Sequence, residues 1–140
     1  SLLAARAALL EYWADTRLIE MDGVTTVAIE SDRLELQWLF ANPVTGDQAR
    51  TFNPSSRVGW RGPYVTTSTG DLVATGYPHL IDAWAHEIVV QDVDPSSRPR
   101  DVRIVSPGSN GVVDIPDATP TTSLTATDVG DDVYVAFTLH

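Results

Sequence analysis

The hydrophobic pattern at the start of the chain is that of a helix. Residues 1–20, SLLAARAALLEYWADTRLIE, combine good helix formers with apolar side chains at three- and four-residue spacing. The predicted helix ends near Thr16. Its predicted apolar face consists of Leu3, Ala7, Leu10 and Ala14. Because the apolar surface is widened by Leu2, Leu9 and Trp13, we expect other elements to enclose the helix on more than one side.

A second, shorter helix is predicted in residues 31–42. Ser31 is a good N-cap, and the pattern stops before Pro43. Beyond this point, short runs rich in Val, Ile, Thr and Tyr are separated by clusters of turn formers, which is typical of β-strands. The predicted strands are residues 63–67, 87–92, 101–106 and 132–139. In the last of them apolar residues alternate with other types, which indicates one buried face.

This order of elements predicts a single α+β domain over residues 1–140. The N-terminal α-helix, residues 1–20, is expected to pack on a small antiparallel β-sheet, because a helix followed by a run of strands favours separate layers. Residues 58–140 are expected to contain the sheet and a long C-terminal loop region. A chain of 140 residues can bury one ordinary core and has no room for a second full domain.

The charge and the cysteine content narrow the range of functions. Nineteen acidic residues against nine basic ones give a formal net charge of -10, which repels phosphate backbones and excludes nucleic acid as a partner. There is no cysteine, so disulfides, thiolate metal sites and thiol nucleophiles are excluded. No run approaches the ~20 apolar residues that span a bilayer.

Signatures of catalysis are absent from the sequence. The three histidines, His79, His86 and His140, stand apart with no recognisable partner. There is no G-x-S-x-G motif and no phosphate-binding glycine fingerprint. We therefore predict that the chain is not an enzyme. A small hydrolase with paired carboxylates is the alternative that the surplus of acidic residues leaves open.

Oxygen-bearing side chains are concentrated near the C-terminus. They are Asn110, Asp114, Asp117, Asp128, Asp131 and Asp132. Calcium takes six to eight oxygen ligands, so this concentration is compatible with an irregular calcium site that lacks the EF-hand spacing. The alternative is that Asn, Asp and Gly serve here as turn formers. Composition alone leaves both interpretations open.

Four segments together resemble the globular domain of the major pseudopilins of type II secretion, within the type IV pilin-like family. The first is AARAALLEYWADTR, where the long pilin helix would end, with Arg17 in place of the usual glycine. The second is GWRGPYV at residues 59–65, similar to the W-x-G-P-Y block of the family. The third is IDAWAHEIVV at residues 81–90. The fourth is VRIVSPGSNGVVD followed by VGDDVYV, which resembles the C-terminal calcium loop.

The resemblance implies a structural calcium ion. The residues that match the family's loop are Asp131 and Asp132 first, then Asp114 and Asp117, with Asn110 in place of an aspartate and Ser106 or its neighbours offering backbone carbonyls. The ion would hold the loop in one shape and take no part in a reaction.

The resemblance also implies a function. The chain would be a structural subunit of a periplasmic or extracellular pseudopilus, polymerising with copies of itself and other pseudopilins on an inner-membrane assembly platform. A hydrophobic N-terminal helix, absent from this sequence, would be the membrane contact. A type IV pilus subunit fits the same motifs. The alternative from a different class is a secreted, calcium-stabilised binding or adhesion module that presents Trp60, Tyr64 and Tyr77, although Trp60 and Trp84 are more simply interpreted as structural.

Overall fold

A computed structural model describes residues 2–16, 39–40, 52–65, 71–72, 78–94 and 99–140, and these residues have a mixed α+β layout. The elements in chain order are helix α1 (Leu2–Thr16), strands β1 (Asp71–Leu72), β2 (Pro78–His79), β3 (Val89–Asp92) and β4 (Arg100–Ser106), a 3-10 helix (Thr121–Ser123), the one-turn helix α2 (Ala126–Val129) and strand β5 (Val133–Leu139).

The main sheet has three antiparallel strands in the order β3-β4-β5. Val89 pairs with Val105 on one side of β4, and Ser106 pairs with Val133 on the other. The short strands β1 and β2 form a separate antiparallel pair. The strands predicted at residues 87–92, 101–106 and 132–139 are confirmed to within two residues at each end.

Helix α1 packs across β4 and β5 and forms the core with them. The buried apolar residues of this core are Ala5, Ala8, Leu9, Tyr12, Leu39, Phe40, Ile88, Val90, Val102, Ile104, Phe137 and Leu139. Burying one large apolar side chain contributes about 1.5–3 kcal/mol, so this interface supplies much of what holds the described layers together. The predicted packing of an N-terminal helix on a small antiparallel sheet is confirmed.

The predicted apolar face of the helix is wrong. Leu3 is 64% exposed, Ala7 and Ala14 are exposed, and Leu10 is half-buried. The residues of α1 that are buried are Ala5, Ala8, Leu9, Tyr12 and Thr16. This face is displaced from the predicted one by two residues, or about 200° around the helix. Apolar residues surround the helix, so the pattern offered two faces, and the sheet covers the one that carries Leu9 and Tyr12.

The exposed face is defined here as the outer helix stripe, consisting of Leu3, Ala7 and Ala14; Leu10, at its edge, packs against the core. The stripe follows the helical repeat along α1, and two of its three positions are alanine. A helix that is apolar on both faces is normally enclosed on both. In the described part of the structure, the sheet covers one of them.

The strand predicted at residues 63–67 is wrong over the three residues that are described. Pro63 has no N–H, and the N–H groups of Tyr64 and Val65 both donate to the carbonyl oxygen of Leu39, at 2.8 and 3.1 Å. These groups are therefore not available to a sheet ladder, and the segment is irregular. Residues 66–67, most of the helix predicted at 31–42, and residues 17–20 lie outside the described residues.

The W-R-G-P-Y segment is fastened to the C-terminal end of α1. The Tyr64 ring packs edge-on against Tyr12 and Trp60, with centroid separations of 5.7 and 5.9 Å. Its hydroxyl donates to Asp15 Oδ2 at 2.9 Å and accepts from the N–H of Arg61 at 3.0 Å. Burial is the main cause that raises the pKa of Tyr64 to about 12. Trp60 and Tyr64 are therefore structural residues.

Tyr64→Phe is expected to lower the free energy of unfolding by about 1–2 kcal/mol, because it removes the two hydrogen bonds of the hydroxyl while keeping the ring. Urea unfolding measures the change. The same substitution in an Asp15→Asn background is expected to cost less, since the charge at the hydroxyl's acceptor is already gone. An equal loss in both backgrounds would show that the hydroxyl contributes through something other than Asp15.

Candidate functional site

The connecting segment, residues 107–132, joins β4 to β5, and its two ends lie side by side. Ser106 pairs with Val133 at this end of the sheet, so the last residues of the segment lie beside its first ones. The segment contains the 3-10 helix and α2, and α2 begins with a capping box between Thr125 and Asp128. Asp131 and Asp132 come directly before β5. The strand pairing therefore fixes where these two carboxylates lie.

Asp132 fastens the middle of the connecting segment to its end. The side chain is 6% exposed, and Oδ2 accepts hydrogen bonds from the N–H groups of Asp114 at 2.8 Å and Ile115 at 2.9 Å. Oδ1 is buried and has no hydrogen-bond partner among the described residues. Oδ2 of Asp132 therefore has hydrogen-bond partners, whereas Oδ1 lacks the partner that a buried charged oxygen normally has.

Asp131, Asn110 and Asp114 surround the same place. Asp131 Oδ2 accepts from Ser109 Oγ at 2.8 Å and from the N–H of Asn110 at 3.0 Å. The Asn110 amide nitrogen donates to Asp114 Oδ2 at 3.2 Å. We define Asn110, Asp114, Asp131 and Asp132 as the carboxylate cluster. The hydrogen bond from the Asn110 amide to the Asp114 carboxylate links two parts of the connecting segment, as a bound cation also would.

Two glycines let the backbone approach this cluster closely. Gly108 has φ +64° and a Cβ there would collide with the backbone of Asp131, while Gly130 has φ +56° and a Cβ would collide with the carboxylate of Asp114. Both positions combine a left-handed conformation with contact to the cluster, which only glycine tolerates without strain. The tight packing of the cluster thus depends on where the chain places glycine.

The pKa values of Asp131 and Asp132 are shifted in opposite directions. Burial raises the pKa of Asp132, with hydrogen bonds from Ile115 and Asp114 opposing the shift and the charges of Asp114 and Asp131 adding to it. The hydrogen bonds from Ser109 and Asn110 lower the pKa of Asp131. Asp131 is thus favoured as an anion, whereas ionised Asp132 is penalised. A nearby cation would relieve that penalty.

Four of the six predicted metal ligands come together, and two take part in other hydrogen-bond networks. Asp117 Oδ1 accepts from Gln91 Nε2 at 2.6 Å, and Ser106 Oγ donates to Asp82 Oδ2 at 2.7 Å. Within the described ranges, no group of three or more His, Cys, Asp or Glu side chains is arranged to hold a metal ion. Calcium binding stays a prediction, for which Asp114, Asp131, Asp132 and Asn110 could supply side-chain ligands. The side-chain hydrogen bond of Ser106 does not test its predicted role, which was to offer a backbone carbonyl.

A second network, centred on Arg103, was not predicted from the sequence. The side chain is fully buried and donates from Nε to Gln91 Oε1 at 3.0 Å. Its other nitrogens donate to backbone carbonyl oxygens of the connecting segment, namely those of Thr119 at 2.5 Å, Pro116 at 3.0 Å and Asp117 at 3.2 Å. Burial lowers the pKa of Arg103, while the charges of Asp101 and Asp117 oppose the shift. One cationic side chain therefore orders residues 116–119.

Strand alternation explains why Arg103 faces the connecting segment. Val102 and Ile104 point toward α1, so Arg103 and Val105 point to the opposite face of the sheet. The sequence signal for this second covered face of the sheet is the arginine at the centre of RDVRIVS. Its apolar neighbours on the strand are buried by the helix, so the arginine must face the other side.

Besides the carboxylate cluster and the Arg103 network, the structure has a groove beside the turn at residues 82–86. Asp82 Oδ1 accepts from the N–H groups of Trp84 at 2.8 Å and His86 at 2.9 Å, which directs Trp84 outward with 50% of its surface exposed. The groove has a volume of about 360 Å³ and is mostly apolar. We call it the tryptophan groove; its lining includes Leu2, Ile81, Asp82, Trp84, Ile88 and Val133.

The two histidines whose side chains are described, His86 and His140, have separate surroundings. His86 Nδ1 lies 2.8 Å from the carbonyl oxygen of Gly108, to which it donates, because a carbonyl only accepts. His140 is exposed at the end of the chain, and the side chain of His79 lies outside the described residues.

No protein-family model, no curated protein and no solved structure matches the chain. None of the helices in the described ranges combines the length and hydrophobicity needed to cross a bilayer. The class that the described residues define is a mixed α+β protein with an N-terminal helix and a three-stranded antiparallel sheet.

Proposed function

We propose that this chain is the globular part of a structural subunit of a pilin-like filament, such as the pseudopilus of type II secretion, and has no enzymatic activity. The outer helix stripe carries the proposal. Leu3 is 64% exposed, and Ala7 and Ala14 are exposed on a helix whose other face is covered by the sheet. An uncovered apolar face marks a contact with another molecule.

The composition of this stripe favours a second helix as the covering element. Alanines at positions 7 and 14 leave room for a neighbouring helix axis at the short end of the usual 8–10 Å. Subunits could therefore assemble by packing their α1 helices through the outer helix stripe, without another apolar surface on the domain. The sheet and the connecting segment would then lie on the outside of the filament and keep the subunits in register.

The proposed setting follows from this assembly. The partners are copies of the same chain, other pseudopilin subunits and an inner-membrane assembly platform. The membrane contact is a hydrophobic helix upstream of the present sequence, so the domain lies in the periplasm or in the assembled extracytoplasmic filament. The role is mechanical, supporting protein export without making or breaking a bond.

A structural calcium ion in the carboxylate cluster is part of the proposal. Its support is the buried Oδ1 of Asp132, which has no hydrogen-bond partner in the described part of the chain, together with the neighbouring charges of Asp114 and Asp131. Calcium at a hundredfold excess over its dissociation constant would stabilise the native state by ~2.7 kcal/mol. For a domain of ordinary stability that is a large share of the total.

Reading the coding sequence upstream of Ser1 is the first test. A short basic leader, a prepilin-type cleavage site and about twenty apolar residues are expected. An ordinary cleavable signal peptide directly before Ser1 would overturn the filament proposal.

Cysteine cross-linking in the full-length protein tests the stripe itself. The chain has no cysteine, so Ala7→Cys and its neighbour Ala8→Cys each introduce the single thiol of the sequence given. Ala7 is exposed on the stripe, whereas Ala8 is 4% exposed against the sheet. Cross-linked dimers are expected from Ala7→Cys in assembled material and not from Ala8→Cys. Equal cross-linking of the two, or none from Ala7→Cys in assembled filaments, would remove the stripe from the interface.

A secreted binding module is the second candidate, and the tryptophan groove is the observation that favours it. Trp60 and Tyr64 pack inward on each other and on Tyr12, so they do not form the exposed aromatic patch expected for such a module. Tyr77 lies outside the described residues. Within the described ranges, the groove beside the half-exposed Trp84 is the surface that could take a ligand.

A further inference from the structure

Asn110 is the one asparagine of the chain whose following residue allows it to lose its side-chain amide. The three asparagines are Asn42, Asn53 and Asn110, and the first two precede proline. Loss of the amide begins when the backbone nitrogen of the next residue attacks the side-chain carbonyl carbon, which requires an N–H that proline lacks. Asn110 precedes Gly111, whose nitrogen is the least hindered because glycine has no Cβ. The sequence thus limits this reaction to a single asparagine.

The fold requires glycine at position 111. Gly111 has φ +74°, and a Cβ there would lie 2.9 Å from Nε2 of His86. Both the left-handed conformation and this close approach disfavour any larger residue. The Asn-Gly pair is therefore kept together by the structure of the connecting segment itself.

The side chain of Asn110 is folded over the Gly111 peptide. Asn110 Oδ1 accepts a hydrogen bond from the N–H of Val112 at 2.6 Å, which closes a ring containing the Asn110 side-chain carbonyl carbon and the Gly111 nitrogen. Within the described ranges, the Gly111 N–H itself donates no hydrogen bond. All three residues are exposed, so water can reach them. The two atoms that would react are therefore held near each other, and the nitrogen is not bound elsewhere.

The neighbouring hydrogen bonds favour the reaction. The Val112 N–H would stabilise the negative charge that develops on Oδ1 during the attack, as an oxyanion-hole donor does. Asn110 Nδ2 donates to Asp114 Oδ2 at 3.2 Å, and a carboxylate at that position favours protonation of the nitrogen as it leaves. The backbone N–H of Asn110 donates to Asp131 Oδ2 at 3.0 Å, which fixes the residue in this conformation. The connecting segment thus supplies each group that the reaction needs apart from water.

We propose that Asn110 is a self-modification site, at which the chain releases ammonia without an enzyme. The Gly111 nitrogen bonds to the Asn110 side-chain carbonyl carbon and gives up its proton to water. The bond from that carbon to Nδ2 breaks, and the nitrogen takes a proton from water and leaves as ammonia. The cyclic imide then takes up one water molecule. Opening at the side-chain carbonyl gives an aspartyl residue, and opening at the main-chain carbonyl gives an isoaspartyl residue.

The product adds a negative charge where the connecting segment is already acidic. An aspartyl carboxylate at position 110 replaces the nitrogen that donates to Asp114 Oδ2, so a hydrogen bond becomes a repulsion between like charges. An isoaspartyl residue also lengthens the main chain before Gly111 and displaces the acceptor of the Val112 N–H. Both products loosen the turn at residues 108–111, so the modified fraction records the age of the folded chain.

Incubation of the folded 140-residue chain in chelator at neutral pH tests the site. One ammonia per chain is expected to be released, with an acidic shift of one charge on isoelectric focusing. Peptide mass spectrometry is expected to place the change at position 110, as a mixture of aspartyl and isoaspartyl products, while Asn42 and Asn53 keep their amides. A parallel sample unfolded in urea measures the contribution of the fold, and the folded chain is expected to react at least as fast.

Two variants serve as controls. Asn110→Gln keeps an amide at this position, but attack by the Gly111 nitrogen would close a larger and less favoured ring, so neither ammonia nor an acidic shift is expected in the same period. Asn110→Asp carries the charge of the product from the start and marks its position on the focusing gel.

Three results would each overturn the proposal: an intact Asn110 in the folded chain, a folded chain that reacts more slowly than the unfolded one, or a product that contains only the aspartyl form. The last result would indicate direct hydrolysis of the amide by water. The reaction needs neither the proposed filament nor a bound calcium ion, so failure of either of those proposals leaves it unaffected.

Discussion

Arg103→Met is expected to lower the free energy of unfolding by about 3–5 kcal/mol, because several buried oxygen acceptors each lose their donor at a cost of about 1–3 kcal/mol. Arg103 is fully buried, and its hydrogen bonds reach Gln91 and three carbonyl oxygens of the connecting segment. Methionine fills a similar volume but donates nothing, so those acceptors would stay buried without partners. Urea unfolding measures the loss, and limited proteolysis within residues 116–119 reports the expected loosening.

Three companion measurements give this prediction its specificity. Arg57→Met changes an exposed arginine and is expected to cost less than about 0.5 kcal/mol. Arg103→Lys keeps the charge but not the planar fork, so it is expected to recover only part of the loss. The cost should be the same with calcium or chelator, because Arg103 does not contact the carboxylate cluster through any of its hydrogen bonds. A loss below about 1 kcal/mol, or an unprotected segment in the wild type, would contradict the assigned role.

The strands of the main sheet and the extent of the first helix could be predicted because local pattern determines them. The alternation in β5 and the apolar runs of β3 and β4 predicted these three strands. The two-residue strands β1 and β2 are too short to leave a pattern, and the strand predicted at residues 63–67 is wrong where it is described. Helix-forming residues up to Thr16 gave the end of α1. These signals are local in the sequence and need no knowledge of the neighbouring elements.

Which face of α1 is buried could not be predicted from the same pattern. A helix with apolar residues on all sides has no unique buried face, and the choice depends on how well Leu9 and Tyr12 fit against the sheet. The resulting exposure of Leu3 is the feature on which the filament proposal depends. Here the failed prediction is more informative about function than the confirmed ones.

The grouping of site residues was also beyond sequence reasoning, because it depends on hydrogen bonds across the sheet. The sequence places Asp117 and Asp114 in the same loop of mixed Asp, Pro and Thr, yet Gln91 on β3 binds Asp117 in the Arg103 network. The Ser106 hydroxyl likewise bonds to Asp82. The sequence predicts a structural Trp84, but an aspartate two residues earlier holds the turn so that its ring faces outward. Each of these partners is distant in sequence or set by turn geometry.

Asp132 is expected to show two opposite effects, depending on the substitution. Asp132→Ala removes the acceptor of the N–H groups of Asp114 and Ile115 and is expected to cost about 2–3 kcal/mol in chelator, and more in calcium if Asp132 is a ligand. Asp132→Asn keeps an oxygen acceptor and removes the charge. Because the pKa of Asp132 is raised in the fold, the ionised form is penalised there, and Asn is expected to be more stable than the wild type at pH 7 in chelator.

The pH dependence of that difference has a definite sign. A raised folded-state pKa means that the native state takes up the proton first, so the contribution of Asp132 to stability improves as the pH falls through its raised pKa toward the ordinary value near 3.8. The advantage of Asp132→Asn is therefore expected to shrink as the pH falls through the raised pKa of Asp132 toward about pH 4. Taking the difference between the two proteins cancels the opposite loss of stability from Asp131, whose pKa is lowered.

Calcium should reverse the order of the two proteins if the carboxylate cluster holds it. A bound cation favours the ionised form of Asp132, so the wild type gains up to ~2.7 kcal/mol at a hundredfold excess over the dissociation constant, while Asp132→Asn gains less. Asp117→Asn is the matched control, because Asp117 lies in the Arg103 network and its loss of charge should leave the calcium response unchanged. An equal calcium response in the wild type and Asp132→Asn would exclude Asp132 as a ligand. If Asp117→Asn alone lost the calcium response, the ion would bind near Asp117 and not in the carboxylate cluster. We do not expect this result, because Arg103 already places a positive charge there and would repel a second cation.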